Sequence, residues 1–194
     1  NPHSVFLVTE SEAITYHYEL NLTPPPSGEV REVSPRIAHT LNLRTDELGN
    51  VLQSVAIGYP RRQPATFNDP LLPPGAKTLI QNVQDELHIA YTENRFTRDI
   101  ISMPDYRLRV PCEVLTYELS GILPHSDADT NPVQQRYFTL AELRRFRLSE
   151  VYPKPEEAEM LEPVEQLDYH KLPTVTIAQK RLVEHVRMQY FAEN

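Results

Sequence analysis

Seven histidines, one cysteine and 27 acidic residues are the groups in this 194-residue chain with the most chemistry to offer. The histidines are His3, His17, His39, His88, His125, His170 and His185. No two of them stand four apart on a helical pattern or one apart in a hairpin loop, the spacings that seat zinc. His17, His39 and His88 fall inside strand-like patterns, where a half-buried or surface strand residue is expected. Cys112 is the single cysteine, so an intrachain disulfide and a multi-cysteine zinc site are both excluded. A nucleophilic thiol needs a neighbouring base or a helix N-terminus to lower its pKa. Cys112 follows Pro111 at the start of a strand pattern with neither nearby, which suits a small core residue.

Asp127 and Asp129, in HSDADTNP, could offer oxygens to calcium. The glycine and closing glutamate of an EF-hand loop are missing, so a solvated surface loop is expected there. The acidic run Glu156 to Gln166 reads as a solvated face. A glycosidase pair would need two carboxyls about 5 to 10 Å apart across a cleft, and the run does not single one out. Gly58, Gly75 and Gly121 stand alone, so there is no G-x-S-x-G elbow and no phosphate-cradling glycine loop. Arg36, Arg61 and Arg62 flank hairpin ends and could pair with Glu47, Asp85 or Glu118.

The elements that hold these residues are mostly strands. Ile14, Tyr16, Tyr18 and Leu20 alternate with polar residues in the segment Val5 to Asn21, a period of two. Ile37, His39, Leu41 and Leu43 do the same in Arg36 to Arg44. Val51, Val55, Ile57 and Tyr59 share a face in Val51 to Tyr59. Asp85 to Thr92 and Glu113 to Leu119 are further strands, and Gln179 to Phe191 reads as a last one, although a helical stripe also fits it. Thr23 to Ser34, Arg61 to Lys77 and Gly121 to Pro132 read as loops, and Glu93 to Asp105 as irregular. Thr139 followed by Glu142 is a capping-box signature, placing a short helix at Leu140 to about Phe146. Glu156 to Leu161 suits another helical turn.

The 18 prolines break the chain into short pieces and exclude long helices over most of it. The expected fold is mainly β: antiparallel strands and hairpins with one or two short helices. Residues 1–150 form the β-rich segment, with its helix near 140–146. Residues 151–178 read as a proline-rich acidic linker, and 179–194 as a final strand.

Between two of the alternating runs lies TDELGN, Thr45 to Asn50. Gly49 and Asn50 suit the centre of a two-residue turn with glycine first, where positive φ is needed. The tight hairpin is the expected form, with a slightly longer loop beginning at Asp46 as the alternative. Asp46, Gly49 and Asn50 also echo the D-x-x-G-N spacing of one Rhs-type YD hairpin, with Thr45 where that repeat has tyrosine.

A net charge of −8 lacks the basic footprint that nucleic acid or an anionic membrane demands. The opening Asn-Pro-His reads as an internal cut in a longer protein.

Several phrases occur in order: ESEAITYHYELN, PRIAHTLNLRTDELGNVLQSVAIGYPRR, IAYTENRFT, YRLRVPCEVLTYELSG, FTLAEL and QKRLVEHVRMQY. Together they resemble the middle C-terminal region of the B component of the insecticidal toxin complexes, the Tc toxins, from about Phe6 to Tyr190. The loops Thr23 to Ser34, Gln63 to Lys77 and Leu123 to Pro132, and the linker Lys154 to Leu172, match least. The resemblance implies a secreted bacterial toxin complex. In it the B component docks on an A-component injection channel through a β-propeller. The rest of B joins the C component, with its Rhs-type YD repeats, in a hollow β-sheet cocoon around the toxic enzyme. This stretch is then a non-catalytic structural segment of the shell, between propeller and Rhs-like part. No catalytic, cofactor or metal residue carries over, and the partners are the other toxin components, with no nucleic acid and no direct membrane contact. The alternative is a stand-alone β-rich module that binds a glycan or a protein, using its ten tyrosines.

Overall fold

The computed structural model describes residues 6–18, 34–61, 71–124, 137–174 and 176–190. Nine strands and three short helices follow in chain order among them: β1 (Glu12–His17), β2 (Arg36–Thr45), β3 (Val51–Gly58), α1 (Pro74–Gln84), β4 (His88–Phe96), β5 (Ile100–Ile101), β6 (Tyr106–Arg107), β7 (Pro111–Ser120), α2 (Leu140–Arg144), α3 (Pro155–Ala158), β8 (Glu165–Leu167) and β9 (Gln179–Arg187). Seven strands make one sheet in the order β1-β2-β3-β4-β7-β9-β8, and β5 and β6 pair separately. The fold is mainly β, as the alternation implies. All pairs in the large sheet are antiparallel except β8 with β9, which run parallel, so the sheet is mixed.

The alternation places one apolar face. Ile37, Leu41 and Leu43 of β2, Val55 and Ile57 of β3, Ile89 and Tyr91 of β4, and Leu115 and Leu119 of β7 are all buried. The later chain packs over that face, contributing Phe138, Leu143 and Leu148 to the same core. Each such side chain, taken fully out of water, contributes about 1.5–3 kcal/mol. The other face carries small residues: Ala38, Thr40 and Ala56 are exposed there, with Gly58 and Ala90 half-buried beside them. They floor a shallow hollow of about 450 Å³.

The capping box at α2 has both of its bonds. The Glu142 N–H donates to Thr139 Oγ1 at 3.3 Å, and the Thr139 N–H donates to Glu142 Oε2 at 2.7 Å. This fixes the start of α2 and so aims Leu143, which has no exposed surface, into the core.

Several local readings are corrected. Residues 74–77, expected as loop, open α1, because Pro74 stands at a helix start where a missing N–H costs nothing. Strand β4 runs on to Phe96 through residues expected to be irregular, because β7 pairs with it along that stretch; the alternation is masked there by Glu93, a buried polar residue on the core side. The same irregular stretch also holds β5. Within 151–178, α3 and β8 form, and β8 pairs with β9, which itself lies between β8 and β7. The stretch expected to form a strand through Asn21 forms β1 over Glu12–His17, and Leu20 lies outside the described residues. Two expected helices are shorter than the patterns suggest: α2 ends at Arg144 and α3 at Ala158.

Candidate functional site

Three polar clusters are built into the sheet and its turns.

The first joins Glu12 of β1, His39 of β2 and Tyr59 just after β3. His39 is 1% exposed. Its Nε2 lies 3.0 Å from Glu12 Oε1 and its Nδ1 lies 2.8 Å from Tyr59 Oη. An ionised carboxylate only accepts, so His39 donates through Nε2; in the neutral ring Nδ1 then accepts the Tyr59 hydroxyl proton. Tyr59 Oη in turn accepts the Phe138 N–H at 2.9 Å. Acid, base and hydroxyl in line is the order of a nucleophile triad. Here, however, burial pushes the Tyr59 hydroxyl well above the usual tyrosine range. The phenol is 7% exposed and its oxygen is occupied. The relay therefore ties the edge strand and the covering segment to the sheet, and has no room for a substrate. It consists of the one strand histidine that is buried; His17 and His88 are exposed.

The second cluster crosses β3, β4, β7 and β9. Arg95 Nε donates to Glu93 Oε1 and Arg95 Nη1 to Glu113 Oε2, both at 2.7 Å. Gln53 donates to the Tyr91 hydroxyl at 2.7 Å, and Tyr91 donates to Glu93 Oε2 at 3.3 Å. Glu113 also meets His185 at 2.6 Å and Arg187 at 2.7 Å. Hydrogen bonds from Arg187 and His185, with Arg95 beyond them, hold the Glu113 carboxyl down at about 2. That pair of carboxylates, Glu93 and Glu113, is bridged by one guanidinium rather than facing a cleft, so it is no glycosidase pair. Cys112, half-buried, donates its thiol to the Arg95 carbonyl at 3.4 Å.

The shift at Glu113 has a testable sign. A carboxyl whose folded pKa lies below its ordinary 4.5 adds stability that is full above that value. The contribution fades as pH falls from 4.5 towards about 2. The urea midpoint of wild type should therefore fall over this window more steeply than that of Glu113→Gln. Parallel slopes in the two proteins would count against the assignment.

The third cluster is the turn. Thr45 pairs with Val51, so Asp46 to Asn50 form a five-residue loop and not the expected two-residue turn centred on Gly49 and Asn50, because the Asp46 carboxylate bridges the wider loop. Asp46 Oδ1 accepts the N–H groups of Leu48 at 2.9 Å and Asn50 at 2.8 Å, and Asp46 Oδ2 accepts Asn50 Nδ2 at 2.9 Å. Gly49 has φ +87°. Arg109, which no sequence pattern singled out, donates to Asp46 Oδ2 at 3.2 Å and Glu47 Oε1 at 2.5 Å. It also grips Asp99, through Nη2 at 2.6 Å and Nε at 3.2 Å. Burial works against the charged form of Asp46, but the bonds from Asn50 and Leu48 and the Arg109 charge outweigh it. Its carboxyl is held below the usual range. Glu47 and Glu118, proposed partners of Arg36 or Arg61, are instead taken by Arg109 and Arg181.

A side chain at position 49 would combine left-handed backbone with a Cβ only 3.2 Å from Leu7 Cδ2. Gly49→Val is therefore expected to lose roughly 1–3 kcal/mol in chemical denaturation. A loss below about 0.5 kcal/mol would show that the turn relaxes freely.

Among the described residues no group of three or more His, Cys, Asp and Glu side chains is arranged to hold a metal. Asp127 and Asp129 lie outside the described residues. Among them, too, no helix is long and apolar enough to cross a membrane.

Residues 1–109 match the family model described as the insecticide toxin TcdB middle/C-terminal region. The phrases FTLAEL and QKRLVEHVRMQY, and all but the first four residues of YRLRVPCEVLTYELSG, fall after that span. No curated protein matches the chain. A solved structure, "Crystal Structure of TcdB2-TccC3-TEV", is 22% identical over 56% of this chain and 5% of its own, at a TM-score of 0.35. That likeness is too slight for any conclusion, and the chain spans only that 5% of the longer protein. The family match covers more than half of the 194 residues and rests on its own. The chain belongs to the insecticide toxin TcdB middle/C-terminal region family.

Proposed function

We propose that this chain is a non-catalytic wall segment of the B component of an insecticidal toxin complex. It helps to form the hollow, secreted shell that encloses the toxic enzyme of the C component, before delivery through the A-component channel. Asp46, Gly49 and Asn50 serve that wall as a structural turn, with no catalytic, cofactor or metal role.

The observation that carries the reading is the sheet's outline. Its outer strands β1 and β8 each pair on one side only among the described residues. Open edges invite further strands, and a closed wall is one way that β proteins satisfy them. The polar clusters support it too, since each is spent on holding strands together.

Lysines on an edge strand oppose edge-to-edge pairing. Ala13→Lys with Thr15→Lys, in the complete B component expressed with its C component, is expected to leave a gap in the wall. The enclosed enzyme then becomes sensitive to added protease. Unchanged protection would sink the proposal. The glycan-binding alternative gains nothing from two cavities among the described residues, the hollow over Ala38 and Ala56 and another between β2 and α2, where Tyr117 lines the first and Phe146 the second as the single Phe or Tyr.

A further inference from the structure

The cavity between β2 and α2 measures about 440 Å³, within the size range of small-molecule sites. Leu43, Leu143 and Leu148 line it and are buried in the core, while Met160, 79% exposed, stands at its mouth. Half-buried Phe146 and Leu161 add to the lining. Such walls suit a hydrocarbon chain. A sugar there would turn its hydroxyls against leucines.

Charge enters the cavity through Arg44, Arg144 and Glu157. Arg44 is already occupied: Nη1 donates to the Tyr152 carbonyl at 2.8 Å and Nη2 to Glu157 Oε2 at 2.9 Å. That ion pair also removes Glu157 as a source of repulsion for an anion. Arg144 differs. Its Nε donates to the Leu43 carbonyl at 2.8 Å, which pins the side chain, and its Nη1 and Nη2 bond to none of the described residues. Two acids close to it in sequence, Glu150 and Glu162, are held by Arg147 and Arg145. Gln53, the remaining polar group of the lining, gives its Nε2 to the Tyr91 hydroxyl. A pinned guanidinium with the two prongs of its fork open has the geometry that receives a carboxylate. One uncompensated positive charge matches one negative charge.

We infer that this cavity binds an amphipathic monocarboxylate, with its carboxylate on Arg144 Nη1 and Nη2 and its alkyl chain against Leu43, Leu143 and Leu148. The inference is independent of the shell reading, since it needs only the packing of α2 on β2.

Dodecanoate is the probe, offered to the complete B component expressed with its C component. A dodecanoate with a photo-reactive diazirine on its chain should label residues 43–53 or 143–161, and plain dodecanoate should suppress that labelling. In calorimetry, Arg144→Gln should bind dodecanoate at least about tenfold more weakly, the scale of a hydrogen bond to a charged group. Methyl dodecanoate carries no charge, so its binding should be indifferent to that change. Met160→Asp puts a second negative charge at the mouth and should weaken dodecanoate by about tenfold as well. Positions 144 and 160 are both exposed, so both variants should assemble as the wild type does. No labelling of these segments, an equal loss of dodecanoate and methyl dodecanoate in Arg144→Gln, or binding indifferent to both variants would each overturn the inference. So would a photo-reactive residue in place of Met160 that crosslinks to another polypeptide of the complex, because a protein segment would then fill the cavity.

Discussion

Gly121→Ala is expected to fold poorly, with a loss of at least about 3 kcal/mol, or roughly 10 °C in melting temperature for a chain of this size. Gly121 follows β7 with φ +70°. A Cβ there would lie 1.9 Å from the Ile177 carbonyl oxygen and 2.5 Å from its carbon. Those are backbone atoms, and they cannot turn aside as a side chain can. The adjoining Ala178 carbonyl accepts the Glu165 N–H at 2.9 Å, and Gln179 opens β9. Moving Ile177 therefore disturbs the place where β7, β9 and β8 meet. Hydrogen exchange should find the loss of protection concentrated in β8 and β9. The effect should exceed that at Gly49, where the nearest atom is the flexible end of Leu7. A Gly121→Ala protein melting within about 2 °C of wild type would refute this account of the contact.

The second large effect is expected at Arg95. Glu93 is 2% exposed, and its carboxylate depends on Arg95 at 2.7 Å for its cation. Removing the guanidinium leaves a buried charge served by the Tyr91 hydroxyl alone among the bonds described. Breaking such a pair from one side costs about 3–5 kcal/mol in fully buried cases. Arg95 is itself 34% exposed, so about 2–3 kcal/mol is the expected loss for Arg95→Ala. Adding Glu93→Gln removes the stranded charge and should restore a large part of it. A double variant no more stable than Arg95→Ala would show that the cost lies in packing rather than charge.

The parts legible in the sequence are those fixed by neighbouring residues. Alternation in RIAHTLNL gives β2 because each side chain's face follows from the one two before it. Thr139 and Glu142 announce α2 because both capping bonds close within four residues. Asp46, Gly49 and Asn50 announce a turn, and only its length was open. That length was settled by the Asp46 carboxylate, which spans the loop to Asn50. What stayed hidden depends on distant partners. Arg109 meets Asp46 across 63 positions. Glu93 sits on the apolar face as a charge, so it interrupts the pattern that would have extended β4. Gly121 looked solitary because the backbone it admits lies far along the chain. Pro74 was read as a breaker, although its place at the first turn of α1 makes it a starter. The family resemblance supplied what no such local rule could, the family to which the strands belong.

The position of β9 has a consequence for how the protein is made. Of the strands described it is the last to be synthesised, yet it lies inside the sheet between β7 and β8. The first four strands of the sheet pair with successive neighbours and can zip together as they emerge. β8 must wait, unpaired, until the chain beyond it has been synthesised. Until β9 arrives the sheet is thus five of its seven strands with β7 as a bare rim, and it is in this interval that it most needs shelter from other chains.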